Sequence, residues 1–168
     1  MVPLRKQQDT DRIAGYLEYA AWWVREGAAK FETWKSGARN AGGQARADAI
    51  LAGADSEGAE RAALERVLQI PFDPPAGIEE PEKVDEIIRG SDPEAWDLLR
   101  KLVSSAPNEP SILGFIGAGL FENWVQGERA EPVIADLLEL IRHDSKWQAV
   151  AAHCWHNPTV VVELLRSL

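Results

Sequence analysis

An all-α fold of about seven helices in antiparallel hairpins is predicted by three observations. Apolar residues recur at steps of three, four and seven along most of the chain, which is the spacing of one helical face. Capping residues and prolines stand at the starts and ends of those stripes. Val160 to Val162 could pair as a short strand, but no partner strand is apparent elsewhere.

The elements follow in order. Asp9 or Thr10 caps a first helix running to about Ser36, with Ile13, Leu17, Ala20, Val24, Phe31 and Trp34 on one face. Gly37 and Asn40-Ala-Gly-Gly43 are expected to break it. An alanine-rich helix follows from Gln44 to Ala52. A firmer one spans about Glu57 to Gln69, with Leu64, Val67 and Leu68 inward. Pro71, Pro74, Pro75 and Gly77 make residues 71–80 a loop. It divides one domain, 1–168, into an N-terminal helical unit, 1–70, and a C-terminal unit, 81–168.

Pro81 suits a first helical position, and Val84, Ile87 and Ile88 mark a short helix ending at Gly90. Ser91-Asp92-Pro93-Glu94 reads as a capping box before a helix that buries Trp96, Leu99, Leu102 and Val103. That helix stops before Pro107. Asn108-Glu-Pro110 opens the next, which passes through a glycine segment and ends near Gly127. Glu131 to His143 forms another, with Val133, Ile134, Leu137, Leu138 and Ile141 as its core face. Asp144-Ser145 restarts a helix bearing Trp147, Val150, Ala151 and Cys154. Asn157-Pro158 opens the last, with Val161, Leu164, Leu165 and Leu168. An internal echo suggests a short helical-repeat-like stack in this half. Asp92, Trp96 and Pro107 are followed, 51 residues on from tryptophan to tryptophan, by Asp144, Trp147 and Pro158.

A chain of 168 residues fits one domain and buries roughly 70% of its unfolded surface on folding. Cys154 is the sole cysteine, which excludes an intramolecular disulfide and a four-cysteine zinc site. The first ten residues lack the apolar run of a secretory signal. The longest apolar stretch, Ile112 to Phe121, contains three glycines and falls short of the ~20 residues a membrane span needs. These features lead to the expectation of a cytoplasmic protein that does not enter the membrane.

Net charge is −9, unevenly spread. Residues 1–56 hold eight basic and seven acidic side chains, whereas residues 57–168 hold ten basic and twenty acidic ones. Asp73 to Asp97 contains nine carboxylates against Lys83 and Arg89. Such a surface repels a phosphate backbone, so direct nucleic-acid binding is not expected. Glu79, Glu80, Glu82, Asp85 and Glu86 form either a solubilising face or a docking surface for a basic protein partner.

The glycine segment runs Leu113-Gly-Phe-Ile-Gly-Ala-Gly-Leu-Phe-Glu-Asn-Trp-Val125. It lacks the preceding strand and the following Lys-Ser or Lys-Thr of a phosphate-binding loop. Glycine costs about 1 kcal/mol in a helix interior relative to alanine, so three within six residues indicate a break, a kink or a very close helix contact. Glu122, three residues after Gly119, is placed to cap a restarted helix. Gly117, Gly119, Glu122 and Trp124 are therefore candidates for a structural signature or for a ligand pocket.

Ile116-Gly-Ala-Gly-Leu-Phe-Glu122 resembles the Ile-Gly-Ala-Gly-Pro-Leu-Glu signature of a family of small, uncharacterised bacterial proteins. That family carries a tryptophan-bearing helix upstream, matched by Trp96, and an apolar residue followed by tryptophan downstream, matched by His153-Cys-Trp155. The similarity spans about residues 90–157 and departs at Leu120, where the family pattern has proline. It implies a helical fold and brings no activity with it.

His153 and His156 stand three apart, so both could face a metal on one helix, with Cys154, Glu163 or His143 as a third ligand. No His-Glu-x-x-His or paired-cysteine spacing supports this, and neither metal nor cofactor is expected. Trp22 and Trp23 are adjacent and lie 100° apart on a helix, so one of them is a candidate partner contact. No Gly-x-Ser-x-Gly elbow occurs, and Cys154 falls on an apolar stripe.

The expectation is a binding or regulatory module that engages a protein partner through its acidic face. An immunity-type role, neutralising a basic effector, is the nearest analogy. The alternative is a small-ligand binder or enzyme with Glu122 in a pocket walled by Phe121, Trp124 and Trp155. A third reading makes the carboxylates between Asp73 and Asp97 a mimic of nucleic-acid charge. Oligomeric state is left open by the sequence.

Overall fold

Alanine-rich sequence keeps the N-terminal region helical much further than its glycines suggest. The computed structural model describes residues 4–72, 81–90 and 93–168. α1 (Leu4–Trp22) leads into a π segment, Trp23–Gly27, and α2 (Ala28–Leu51) follows directly. The break expected at Gly37 to Gly43 does not occur. α2 packs against α3 (Ser56–Leu68) as an antiparallel hairpin through small residues: Ala38 and Gly42 on one side, Ala59 and Ala63 on the other. A Cβ on Gly42 would lie 2.9 Å from the Val67 side chain, so this glycine permits a close contact instead of ending the helix.

The hairpin turn is closed by Gly53 at φ +90°, with the Ala54 N–H donating to Ala49 O. Asp55 then caps α3, accepting from Gly58 N at 2.8 Å. Because alanines occupy the inward face of α3, Leu64 and Leu68 point outward, at 60% and 75% exposure. That reverses the inward assignment from sequence; Val67 alone of the three is half-buried. At the other end, Phe31, Trp34 and Phe72 cluster, and Trp34 Nε1 donates to Ile70 O at 3.0 Å.

The chain forms two compact units, Arg25–Ala76 and Met1–Val24 with Gly77–Leu168. The sequence places the division at 71–80; the structure adds a second crossing point within the π segment, so α1 belongs with the C-terminal helices. Residues 73–80, and Ser91 and Asp92 of the expected capping box, lie outside the described residues.

The larger unit contains α4 (Pro81–Arg89), α5 (Pro93–Ser105), α6 (Pro110–Ile116), a π segment Gly117–Phe121, and α7 (Glu122–Val125). It continues through α8 (Glu131–His143), α9 (Ser145–Ala152) and α10 (Thr159–Ser167). Counting contiguous segments together, the described residues form eight helical runs and no strand, close to the seven expected. Val160 to Val162 lie in α10. Proline opens α4, α5 and α6, and Asp144 caps α9 by accepting from Lys146 N at 2.8 Å.

Aromatic residues centre this unit's core. Trp96 stacks on Trp124 at 4.7 Å and meets Trp147 at 5.4 Å, while Phe121 packs on Trp124 at 6.0 Å. Leu99, Leu137 and Ile141 join them, fully buried, as their stripes predict. Trp96 keeps its polar edge satisfied by donating Nε1 to Asp136 at 2.9 Å. Arg129 reaches the carbonyls of Trp124 (2.6 Å) and Gly90 (2.8 Å) and lies 4.9 Å from the Trp124 ring centre. Leu168, expected inward, is exposed.

Candidate functional site

The glycine segment is a contact surface for α9, not a helix break. A Cβ on Gly117 would stand 2.2 Å from Val150 O, closer than any real side chain tolerates. One on Gly114 would meet the His153 ring at 3.0 Å. Gly119 is different, since its Cβ would find only Tyr16 Oη at 3.8 Å. The backbone stays right-handed and helical through the π segment, so the restart expected before Glu122 is absent.

Glu122 consequently serves another purpose. Its carboxylate reaches from α7 to the turn that follows α9. Oε2 accepts from Trp155 N at 3.1 Å, and Oε1 pairs with His156 Nδ1 at 2.8 Å. The side chain is 17% exposed. The Trp155 N–H, and then the His156 ring, hold its carboxyl below the usual carboxylate range. Asn157 fixes the same turn from inside, donating Nδ2 to Ala151 O at 2.6 Å and Cys154 O at 3.2 Å. The turn between α9 and α10 is thus pinned by two side chains, and it displays Trp155 at 86% exposure.

The next residue along α7 connects to the acidic helix. Asn123 Nδ2 donates to Asp85 Oδ1 at 2.7 Å, and Asp85 Oδ2 also accepts from Arg89 at 2.7 Å. Glu82 and Glu86 are exposed on α4, whereas Asp85 is half-buried. Burial raises the Tyr19 phenol and the Glu82 charge adds to it; burial and then Asp85 do the same for Tyr16. Glu79 and Glu80 lie outside the described residues. Adjacent residues Glu122 and Asn123 thereby link the pinned Trp155 turn to the carboxylates of α4.

The remaining candidates fall elsewhere. Phe121 and Trp124 are buried in the core, 0% and 1% exposed, whereas Trp155 is 86% exposed. Trp22 is buried and Trp23 half-buried, both ringed by Tyr19 within about 6 Å and, for Trp23, by Phe115 at 6.2 Å. His153 ends α9 with Nδ1 2.8 Å from Ala149 O, so it and His156 do not present a common helical face. Among the described residues, no group of three or more His, Cys, Asp or Glu side chains is placed to hold a metal ion. Burial pushes the Cys154 thiol up to about 11, leaving it protonated at neutral pH.

A groove of about 510 Å³ lies apart from this site, floored by Ile13, Ala14 and Leu17 of α1 and edged by Lys101 of α5. Lys101 is engaged there by Asp97 at 2.6 Å and Asp9 at 3.0 Å, which raise its pKa. No helix of the described residues is long and apolar enough to cross a membrane.

The fold and site together define an all-α protein with an exposed, side-chain-pinned tryptophan turn joined to an acidic helix. Comparison with protein-family models, with curated proteins and with solved structures finds no match to this chain.

Proposed function

We propose that this chain is a binding module for a basic protein partner, with Trp155 as the anchor and the carboxylates of α4 as the charged flank. The observation that carries the reading is the exposed Trp155 on a turn held by Glu122 and Asn157. An indole left in water costs hydrophobic free energy, and a turn held from two sides keeps that indole in one place. Rigid aromatic anchors of this kind concentrate binding energy in protein interfaces. Glu82 and Glu86 supply charge of the sign that attracts lysine and arginine. An arginine stacked on the Trp155 ring would combine both attractions.

On this reading the resemblance of Ile116–Glu122 to the bacterial signature has a physical content. Gly117 brings the segment against α9, and Glu122 then holds the turn that displays the tryptophan. Neutralising a basic effector, in the manner of immunity-type proteins, belongs to the same proposal as an analogy of size and charge. The test is affinity capture from the native host with three full-length baits: the parent, Trp155→Ala, and Glu82→Lys with Glu86→Lys. A basic protein held by the parent, lost with Trp155→Ala, and retained less well in high salt supports the reading. Equal capture by all three baits sinks it.

A further inference from the structure

We propose that the α2–α3 hairpin is the interface through which two copies of this chain associate. The face concerned can be read from helical geometry. Gly42 on α2 and Ala63 and Val67 on α3 face each other across the hairpin. Each following residue turns 100° further in its own helix, and in an antiparallel pair that step leads to the same side on both. Gly43, Leu64 and Leu68 therefore share one face. Ile50, two turns beyond Gly43, joins them. The Arg46–Glu60 ion pair at 2.9 Å crosses between the helices on that side, as the geometry requires.

This face exposes apolar side chains that none of the described residues covers. Ile50 is 53% exposed, Leu64 60% and Leu68 75%. Gly43 sits mid-helix, where glycine is disfavoured, yet a Cβ there would meet nothing within 4 Å. The contact at Gly42 explains its neighbour, but no contact among the described residues explains Gly43. A second helix drawn close to the bare backbone at that point does.

Charge selects a second copy as the occupant. Residues 25–72 carry seven basic and seven acidic side chains, whereas the rest of the chain carries eleven basic and twenty acidic. Two copies repel one another through their acidic parts but meet without repulsion through the hairpin. Eight of its fourteen charges pair with one another: Lys30 with Glu26, Lys35 with Glu32, Arg46 with Glu60, and Arg61 with Glu57. Carrying no net charge, the hairpin has nothing to select a strongly charged stranger. A two-fold axis through this face would set Ile50, Leu64 and Leu68 of one copy against the same patch of the other. The exposed aliphatic area on two facing copies is roughly 700 Å², under half of a standard interface, so the dimer is a weak, concentration-dependent one.

Sedimentation velocity on the full-length chain, from low to high micromolar concentration, tests this. The parent is expected to pass from monomer to dimer across that range. Leu64→Glu with Leu68→Glu alters exposed positions, so it should keep the parent's circular dichroism while weakening the dimer by at least about tenfold. Gly43→Ala gives a separate arm that does not depend on the double variant folding. Its added methyl improves helix propensity, so dilute protein should unfold at the same or a higher temperature, while the dimer weakens about threefold or more. A parent that stays monomeric at the highest concentration overturns the proposal. So does a Gly43→Ala chain that dimerises as tightly as the parent. Trp155 lies outside the hairpin, so Trp155→Ala should leave the dimer intact.

Discussion

Adding one methyl group at Gly117 tests why the glycine segment exists. In Gly117→Ala the new Cβ would begin 2.2 Å from Val150 O, 3.1 Å from Val150 C and 3.0 Å from His153 Cβ. Comfortable carbon–oxygen contacts lie at about 3.3–3.6 Å, so the π segment and α9 must separate by about 1 Å. The obstacle is backbone, which cannot swing aside as a side-chain tip would. Overpacking of this kind costs about 1–3 kcal/mol, and a backbone clash belongs at the upper end. Alanine recovers about 1 kcal/mol of helix propensity. The expected net loss is about 2 kcal/mol, or a midpoint lower by about 4–8 °C for a chain of this size. Urea unfolding followed by tryptophan fluorescence measures it, since Trp147 lies in the displaced helix. Gly119→Ala is the internal control, because its Cβ meets only Tyr16 Oη at 3.8 Å. It should be neutral or up to about 1 kcal/mol stabilising. If Gly117→Ala is as stable as the parent, close approach to α9 is not the reason for the glycine.

Glu122→Gln keeps an acceptor for the Trp155 N–H but removes the charge facing His156, and should cost about 1 kcal/mol at neutral pH. The folded pKa of Glu122 is depressed, so its contribution is present above the ordinary carboxylate value and fades as pH falls through the folded one. Urea midpoints of parent and variant should therefore converge as pH falls through that folded value; a gap that stays constant into acid would place the loss outside the carboxylate. Leu137→Ala empties a fully buried site and should cost about 2–5 kcal/mol, with Trp96→Ala at least as costly because a larger side chain leaves the aromatic cluster. An unchanged thermal midpoint in either would contradict the core placement.

Local rules made the larger unit legible. Proline openings, the Asp144 cap and the stripe Val133 to Ile141 place the helices from α4 to α10 within a residue or two, whereas α1 starts at Leu4, ahead of the expected cap at Asp9 or Thr10. They served because each acts within a single turn of chain. The hairpin misled for a related reason. Gly42 reads as a helix breaker in isolation, and only its contact with α3 makes it a packing residue. Leu64 and Leu68 look inward by hydrophobicity, but the inner face was taken by alanines that allow a closer approach. At the candidate site, the sequence singled out Glu122 and missed its partners. A carboxylate that bonds a backbone N–H 33 residues away leaves no pattern in spacing. That Trp155, one tryptophan among seven, stands exposed cannot be read from composition.

The division of the chain into two units bears on how it folds. Residues 25–76 leave the larger unit after Val24, and the chain rejoins that unit at Gly77. α1 packs on α4, α5 and α6, contacts that span well over fifty residues of chain. Closing a loop of that length costs entropy before any reward arrives, which slows folding. The hairpin, by contrast, makes its contacts across one short turn and can form first. Once folded, it replaces a long flexible loop by a short tether and shrinks the search that α1 must complete. Shortening the hairpin by matched deletions in α2 and α3 should then leave the folding rate of the larger unit almost unchanged. Replacing it with a flexible linker of equal length should slow that rate.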